Sequence, residues 1–295
     1  MQYSPLHFVG DNMISEQGLK ERIHKTAEEK GVPFNISWKH LLFERFLCRL
    51  SASEVANQFI FKGGLLLSFH IKIGRETSDL DFLVDNLDIR KETIEHALRQ
   101  ICLVIIEDDF VFSFKKIELL SQPHMEYDGF RVSLNAKFGR MVDTILVDIG
   151  VGDIVTPKRL SIPLTTYKGA PIFEKDVQLF TYPLDTIFAE KLETILSKGP
   201  QNSRMKDYHD LLLMIRQKEI LELTSLQRAI QKTCQHRGTK IATINFDPQA
   251  MPTIQNYWSI HLKDLGSTAK ELQIPKEISS VIEEINLFLQ EVIFK

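Results

Sequence analysis

Two carboxylates placed two residues apart are the first sign of chemistry. Asp79 and Asp81 stand in Arg75-Glu76-Thr77-Ser78-Asp79-Leu80-Asp81-Phe82-Leu83-Val84, at the head of an apolar run. If that run is a strand, alternate side chains share a face, so both acids point the same way. Carboxylates held that close repel one another unless a cation lies between them. Mg²⁺ fits: it takes oxygen ligands and is usually held by one or two carboxylates together with substrate phosphates. Metal ions so held stabilise both the attacking and the leaving oxygen of a phosphoryl displacement. Upstream lies Lys62-Gly63-Gly64. A glycine pair lets the backbone approach phosphates closely, and its N–H groups can form an anion-binding turn. Each piece alone is ordinary, since DxD recurs by chance on solvated strands and a glycine pair is usually a turn. Their order is more specific: strand, Gly-Gly, short helix, Arg, Thr, then DxD on an apolar strand.

Three further elements could complete such a site. Asp148 ends the apolar run Thr144-Ile145-Leu146-Val147-Asp148-Ile149-Gly150. A neighbouring strand could bring it beside the pair as a third ligand or as a base, although a lone acid there is more often a turn residue. Asp153 is a poorer candidate, lying beyond Gly150 and Gly152. Glu190-Lys191 falls within LDTIFAEKLETILS, whose buried stripe is Leu184, Phe188, Leu192 and Ile195. Lys191 is close to that inward face, an uncommon place for an unpaired lysine. A triphosphate is one natural partner; a snorkelling stem, or pairing to Asp185 or Glu193, are the others. Finally, Arg204-Met205-Lys206-Asp207-Tyr208-His209-Asp210 puts Asp207 and Asp210 on one helix face with Arg204 and Lys206 nearby. Ordinary helix-start electrostatics behind a Ser203 cap accounts for Asp207 better than for Asp210. His209 reads as a plain helix residue.

These residues need a scaffold, and the chain offers one. Residues 1–58 read as a helical segment, with Trp38, Leu41, Leu42, Phe46 and Leu50 at helical spacing behind a Ser37 cap. Residues 59–180 read as a mixed α/β core: strands in FIFK, DLDFLVD, FVFSFKKIEL, GFRVSLNAKF and TILVDIG, a helix after Asp88, and over 156–180 a connector with one or two short strands, where Pro157, Pro163 and Pro171 break up any helix. Residues 181–295 are again helical, starting at Pro183, where proline is tolerated. With 36 Lys and Arg against 39 Asp and Glu, bulk charge does not announce a nucleic-acid binder. Three scattered cysteines argue against a disulfide framework or zinc site and fit a reducing cytoplasm. MQYSPLHFVGDNM lacks the pattern of a signal peptide, and no apolar run nears the roughly 18 residues that span a bilayer.

On these residues the chain resembles the AbiEii/AbiGii toxin family of nucleotidyltransferases, the toxin halves of bacterial abortive-infection toxin–antitoxin pairs, to which the MenT-like toxins are related. FERFLCRLSAS before FIFKGG, then GRETSDLDFLVD, then YPLDTIFAEKLETILSKGPQNSRMKDYHDLLLM follow the family's order over roughly residues 37–215. The resemblance implies a nucleotidyltransferase-fold mixed sheet flanked by helices, with an NTP as substrate and Mg²⁺ or Mn²⁺ as cofactor. It implies that Asp79 and Asp81 bind the metal, that Asp148 matches the family's DIG motif beside them, and that Arg75 and Thr77 shape the phosphate loop with Gly63 and Gly64. Lys191 would contact the triphosphate. Asp207 and Asp210 would lie on the nucleotide or acceptor side, Asp210 among the catalytic groups. Leu65 departs from the small hydroxyl residue frequent after Gly-Gly in relatives, which leaves backbone contacts alone at that point. The implied acceptor is an RNA end such as that of tRNA, or a protein hydroxyl, with a cognate antitoxin as partner and no membrane. A small-molecule acceptor, as in antibiotic nucleotidyltransferases, and a non-catalytic nucleotide-binding module are the competing readings. The last 80 residues, with CQHRG and PTIQNYW, carry no assignment.

Overall fold

The computed structural model describes residues 14–120 and 129–293. The N-terminal stretch 1–13, read above as lacking a signal-peptide pattern, and the last two residues of the helix expected over PKEISSVIEEINLFLQEVIFK lie outside them. Two helices come first, α1 (Glu16–Lys30) and α2 (Phe34–Ser51), followed by β1 (Phe59–Lys62), α3 (Gly63–Ser68), β2 (Asp79–Val84) and α4 (Lys91–Leu103). Three ten-residue strands form a meander: β3 (Val111–Leu120), β4 (Gly129–Phe138) and β5 (Met141–Gly150). Next come β6 (Lys158–Pro163), the small pair β7 (Thr166–Tyr167) and β8 (Ala170–Pro171), and β9 (Asp176–Thr181). The rest is helical: α5 (Leu184–Lys198), α6 (Met205–Arg216), α7 (Leu223–His236), α8 (Met251–Leu265), α9 (Ser267–Glu271) and α10 (Ile278–Val292).

Seven strands make one mixed sheet in the order β3-β4-β5-β2-β1-β9-β6. Its apolar face follows from alternation. Phe59, Phe61, Leu80, Phe82, Phe112, Val132, Leu134, Val147 and Ile149 are all buried, and Phe46 of α2 meets Phe82 and Phe112 with ring centroids 6.5 and 6.0 Å apart. Because the strand period is two, burying Leu80 and Phe82 commits Asp79 and Asp81 to the opposite face; a slip of one residue would put the acids in the core. The C-terminal helices build a second core. Phe188, Leu192, Tyr208, Leu212, Ile230, Trp258, Ile278, Ile285 and Leu289 pack there with Leu67, Ile71 and Ile73 from the α3 segment.

Several local expectations change. The 156–180 segment is no mere connector, since β6 and β9 pair antiparallel within the main sheet and β9 runs parallel to β1. Its prolines do not interfere: Pro157 precedes β6, Pro163 ends it, and Pro171 ends the detached β8, positions where a missing N–H removes little. Ser37 does not cap α2. Pro33, with φ −60°, starts the helix one turn earlier, and Ser37 is buried with no partner for its hydroxyl among the described residues. Asp88 accepts the backbone N–H of Arg90, and Arg90 occupies the cap position of α4. Arg204, not Ser203, occupies that position at α6.

Candidate active site

Strand register builds the first wall of a cleft of about 410 Å³. Antiparallel pairing of β1 with β2 sets Lys62 opposite Asp81, parallel pairing of β2 with β5 sets Asp81 opposite Asp148, and antiparallel pairing of β4 with β5 sets Arg131 opposite Asp148. Residues opposite one another share a face. The result is a row across four strands, Arg131, Asp148, Asp81 and Lys62, with Asp79 two residues along from Asp81. Arg131 donates from Nε and Nη2 to both oxygens of Asp148 at 2.7 and 2.6 Å, and its Nη2 lies 3.7 Å from Asp79. Asp81 has no hydrogen-bonded cation among the described residues. Burial, then the charges of Asp79 and Asp148, raise its carboxyl to about 6. Gly63 is glycine for a steric reason: it has φ +79°, and a Cβ there would lie 2.0 Å from Asp81 Oδ2. At Gly64 a Cβ would lie 2.7 Å from the Arg75 guanidinium.

The donor set suits a hard divalent cation, being three carboxylates on one face beside room for phosphate. As the side chains stand, no three His, Cys, Asp or Glu residues converge on one point among the described residues. Arg131 already takes both oxygens of Asp148.

The opposite wall is a stripe of α5, where Ile187, Glu190, Lys191, Thr194, Ser197 and Lys198 recur at helical spacing along the cleft. Lys191 is neither snorkelling nor paired with Asp185 or Glu193. It bridges Asp207 at 3.0 Å and Asp210 at 2.7 Å. Arg75 donates twice to Asp210, at 2.8 and 2.6 Å, and Arg204 reaches Asp207 at 2.8 Å. Asp207 is therefore more than a helix-start acid. Burial works against both carboxylates, yet Lys191 with Arg204 holds Asp207 below its ordinary range, and Lys191 with Arg75 does the same for Asp210. Asp207 lines the cleft. Asp210 is fully buried, touches Arg75 and Lys191, and does not line it. Thr77 lines the cleft beside Gly64. His209 is more than a plain helix residue, because its Nε2 lies 2.7 Å from the Ile73 carbonyl and ties α6 to the loop that carries Arg75.

A third cluster joins the walls. Lys62 lies 2.9 Å from Glu190 and 3.3 Å from Asp153. Arg237, from CQHRG, reaches Asp153 at 2.8 Å, Glu193 at 2.9 Å and Glu190 at 3.3 Å. His236 Nε2 lies 2.9 Å from the Gly152 carbonyl. Asp153 is thus a strut of the cleft. Burial raises the Glu190 carboxyl despite its cations.

The model of the family described as nucleotidyl transferase AbiEii toxin, of type IV toxin–antitoxin systems, matches residues 45–283. The chain belongs to the AbiEii family. It is accordingly a nucleotidyltransferase, and the matched stretch takes in every residue of the cleft named above. No curated protein matches the chain. Two Helicobacter pylori crystal structures are similar: one described as a candidate nucleotidyltransferase (14% identity, 94% of this chain and 95% of that one, TM-score 0.44) and JHP933 (13% identity, 95% and 93%, TM-score 0.42). At those scores they add nothing to the family match.

In this AbiEii chain, sequence reasoning missed Arg131 and Arg237. Arg131 was within reach. Gly139-Arg140 is a two-residue hairpin turn between Phe138 and Met141, and counting outward along that pairing puts Arg131 opposite Asp148. Arg237 had no local signal, since its partners lie on a loop and a helix remote in sequence.

Proposed function

We propose that the protein transfers a nucleoside monophosphate from an NTP to a hydroxyl of a macromolecular acceptor, an RNA end first, as the toxin of a pair whose partner is an antitoxin. One observation carries the reading. The cleft opposes a row of three carboxylates to a cluster in which Lys191, Arg75 and Arg204 outnumber Asp207 and Asp210, a residual positive charge suited to a polyphosphate. Asp79, Asp81 and Asp148 would hold Mg²⁺, which when bound supplies Lewis-acid activation of the α-phosphate and counter-charge for the leaving oxygens. The acceptor O–H attacks the α-phosphorus, the bond from that phosphorus to the bridging oxygen breaks, and pyrophosphate departs. The acceptor's proton passes to a carboxylate of the row. Lys191 and Arg75 offset charge on the β- and γ-phosphates, the kind of fixed electrostatic stabilisation that dominates such reactions. Asp210 acts through those two cations by fixing where they stand. Exposed Lys198, Arg204 and Lys206 at the rim provide cations for an acceptor's phosphates.

Label transfer tests this. Wild-type protein with Mg²⁺ and each labelled NTP in turn is offered total RNA, RNA-free lysate protein and an aminoglycoside. Label on RNA supports the proposal. Label on protein or on the aminoglycoside moves the acceptor to that class. No label on any acceptor, with Asp79→Ala and wild type alike, overturns it.

A further inference from the structure

Arg131 holds an unusual place for a basic residue, being the guanidinium seated on the carboxylate row. Its Nε and Nη2 engage both oxygens of Asp148 at 2.7 and 2.6 Å. The same Nη2 is 3.7 Å from Asp79 Oδ2, so this corner lies between the two acids at the point a bridging cation would take. Asp148 and Asp79 raise the affinity of Arg131 for its proton, and it stays charged. Its side chain is 38% exposed and, among the described residues, no acceptor other than these two acids holds it. A guanidinium in that setting can leave. Asp81, next in the row, has no such cation among the described residues.

We propose that Arg131 is the resident counter-ion of the carboxylate row, that a divalent cation must displace it from Asp148, and that nucleotide phosphate receives the freed guanidinium. The inference rests on the metal and nucleotide reading above and adds to it an order of events. A cation arriving alone competes with an established bidentate pair. A cation arriving with a nucleotide does not, because two oxygens of a tetrahedral phosphate can accept the same pair of guanidinium N–H groups as the carboxylate it gives up. Cation loading is therefore coupled to nucleotide binding, and the free protein offsets part of the row's charge with a side chain of its own. The reciprocal holds as well: whatever the cation gains from the nucleotide, the nucleotide gains from the cation.

The experiment is Mn²⁺ binding, followed by the loss of the free-ion electron paramagnetic resonance signal, with and without a non-hydrolysable NTP analogue. Proteins compared are wild type, Arg131→Met, Arg131→Gln and the double variant Arg131→Met with Asp148→Asn. Circular dichroism verifies the fold, and the glutamine variant serves if the methionine one does not fold. Without nucleotide, the Arg131 variant is expected to bind Mn²⁺ at least about tenfold more tightly than wild type, the scale on which one nearby like charge acts. The analogue is expected to tighten wild type by a larger factor than it tightens the variant. The double variant is expected to lose the gain. Equal affinities of wild type and variant in the absence of nucleotide overturn the proposal, as does a gain that survives Asp148→Asn. If equal affinities are accompanied by tight binding once the analogue is added, only the counter-ion role falls. If neither protein binds Mn²⁺ even with the analogue, the metal reading falls with it.

Discussion

Asp81 in the carboxylate row and Asp210 behind Lys191 and Arg75 stand in opposite circumstances, and their pH signatures should differ in sign. Burial and two neighbouring acids raise Asp81 to about 6 from an ordinary 3.8. Its ionised form is thus a cost to the metal-free fold above that range, and the cost fades as pH falls toward 3.8. Asp81→Asn should raise metal-free stability at pH 7 by about 1 kcal/mol while losing transfer, and the gain should vanish near pH 4. Asp210 is lowered, so its contribution is full above the ordinary 3.8 and is lost as pH falls through its folded value. Asp210→Asn leaves Lys191 and Arg75 short of a buried carboxylate and should cost about 3–5 kcal/mol at neutral pH, with the gap from wild type closing in acid below 3.8. Urea unfolding across about pH 3.5–7 measures the first, and extending it to about pH 2, well below the ordinary carboxylate value of about 4, measures the second. Among the glycines, Gly63→Ala should be far worse than Gly64→Ala. The first drives a Cβ against Asp81 in a backbone that disfavours side chains, whereas the second meets only the end of the Arg75 side chain, in a backbone that accepts a Cβ. Comparing their unfolding midpoints and transfer rates decides this.

At the scale of elements, what was legible in the sequence was whatever a period or a stop could fix. Apolar alternation in β2 located the DxD face, Pro183 and Gly199 bounded α5, and the family order of motifs carried the rest of the core. Short strands were legible in residues 156–180, but not their place in the main sheet, because that is decided by pairing with β1 through β9. The partners of Lys191 were also hidden. They stand 16 and 19 residues on, across a turn whose geometry no local pattern dictates. Strand register carries a prediction of its own. Phe82→Ala empties a fully packed position between Phe59, Phe61 and Phe46 and should cost about 3–5 kcal/mol. Because the carboxylates lie on the other face, transfer per folded molecule should persist, as measured at a temperature below the variant's melting midpoint.

At the scale of the whole molecule, the sheet and the C-terminal helices contribute one wall each to the cleft, and Arg237 spans the gap between them. The segment that had no sequence assignment turns out to hold Asp153, Glu190 and Glu193 together. Arg237→Ala should leave Asp153 and Glu190 to Lys62, and Glu193 to the Thr239 hydroxyl, and weaken the joint by about 3 kcal/mol. Hydrogen exchange should accelerate at residues 150–153 and 234–239 ahead of the sheet. Whether this cleft moves a nucleotide or a terminal phosphate is read from the position of the label. Wild-type protein with Mg²⁺ and total RNA should transfer label from an NTP marked at the α-phosphorus and none from one marked at the γ-phosphorus, which leaves in pyrophosphate; Asp81→Asn should transfer neither. Label from the γ-position on the acceptor, or α-label transferred equally by Asp81→Asn, would contradict the account.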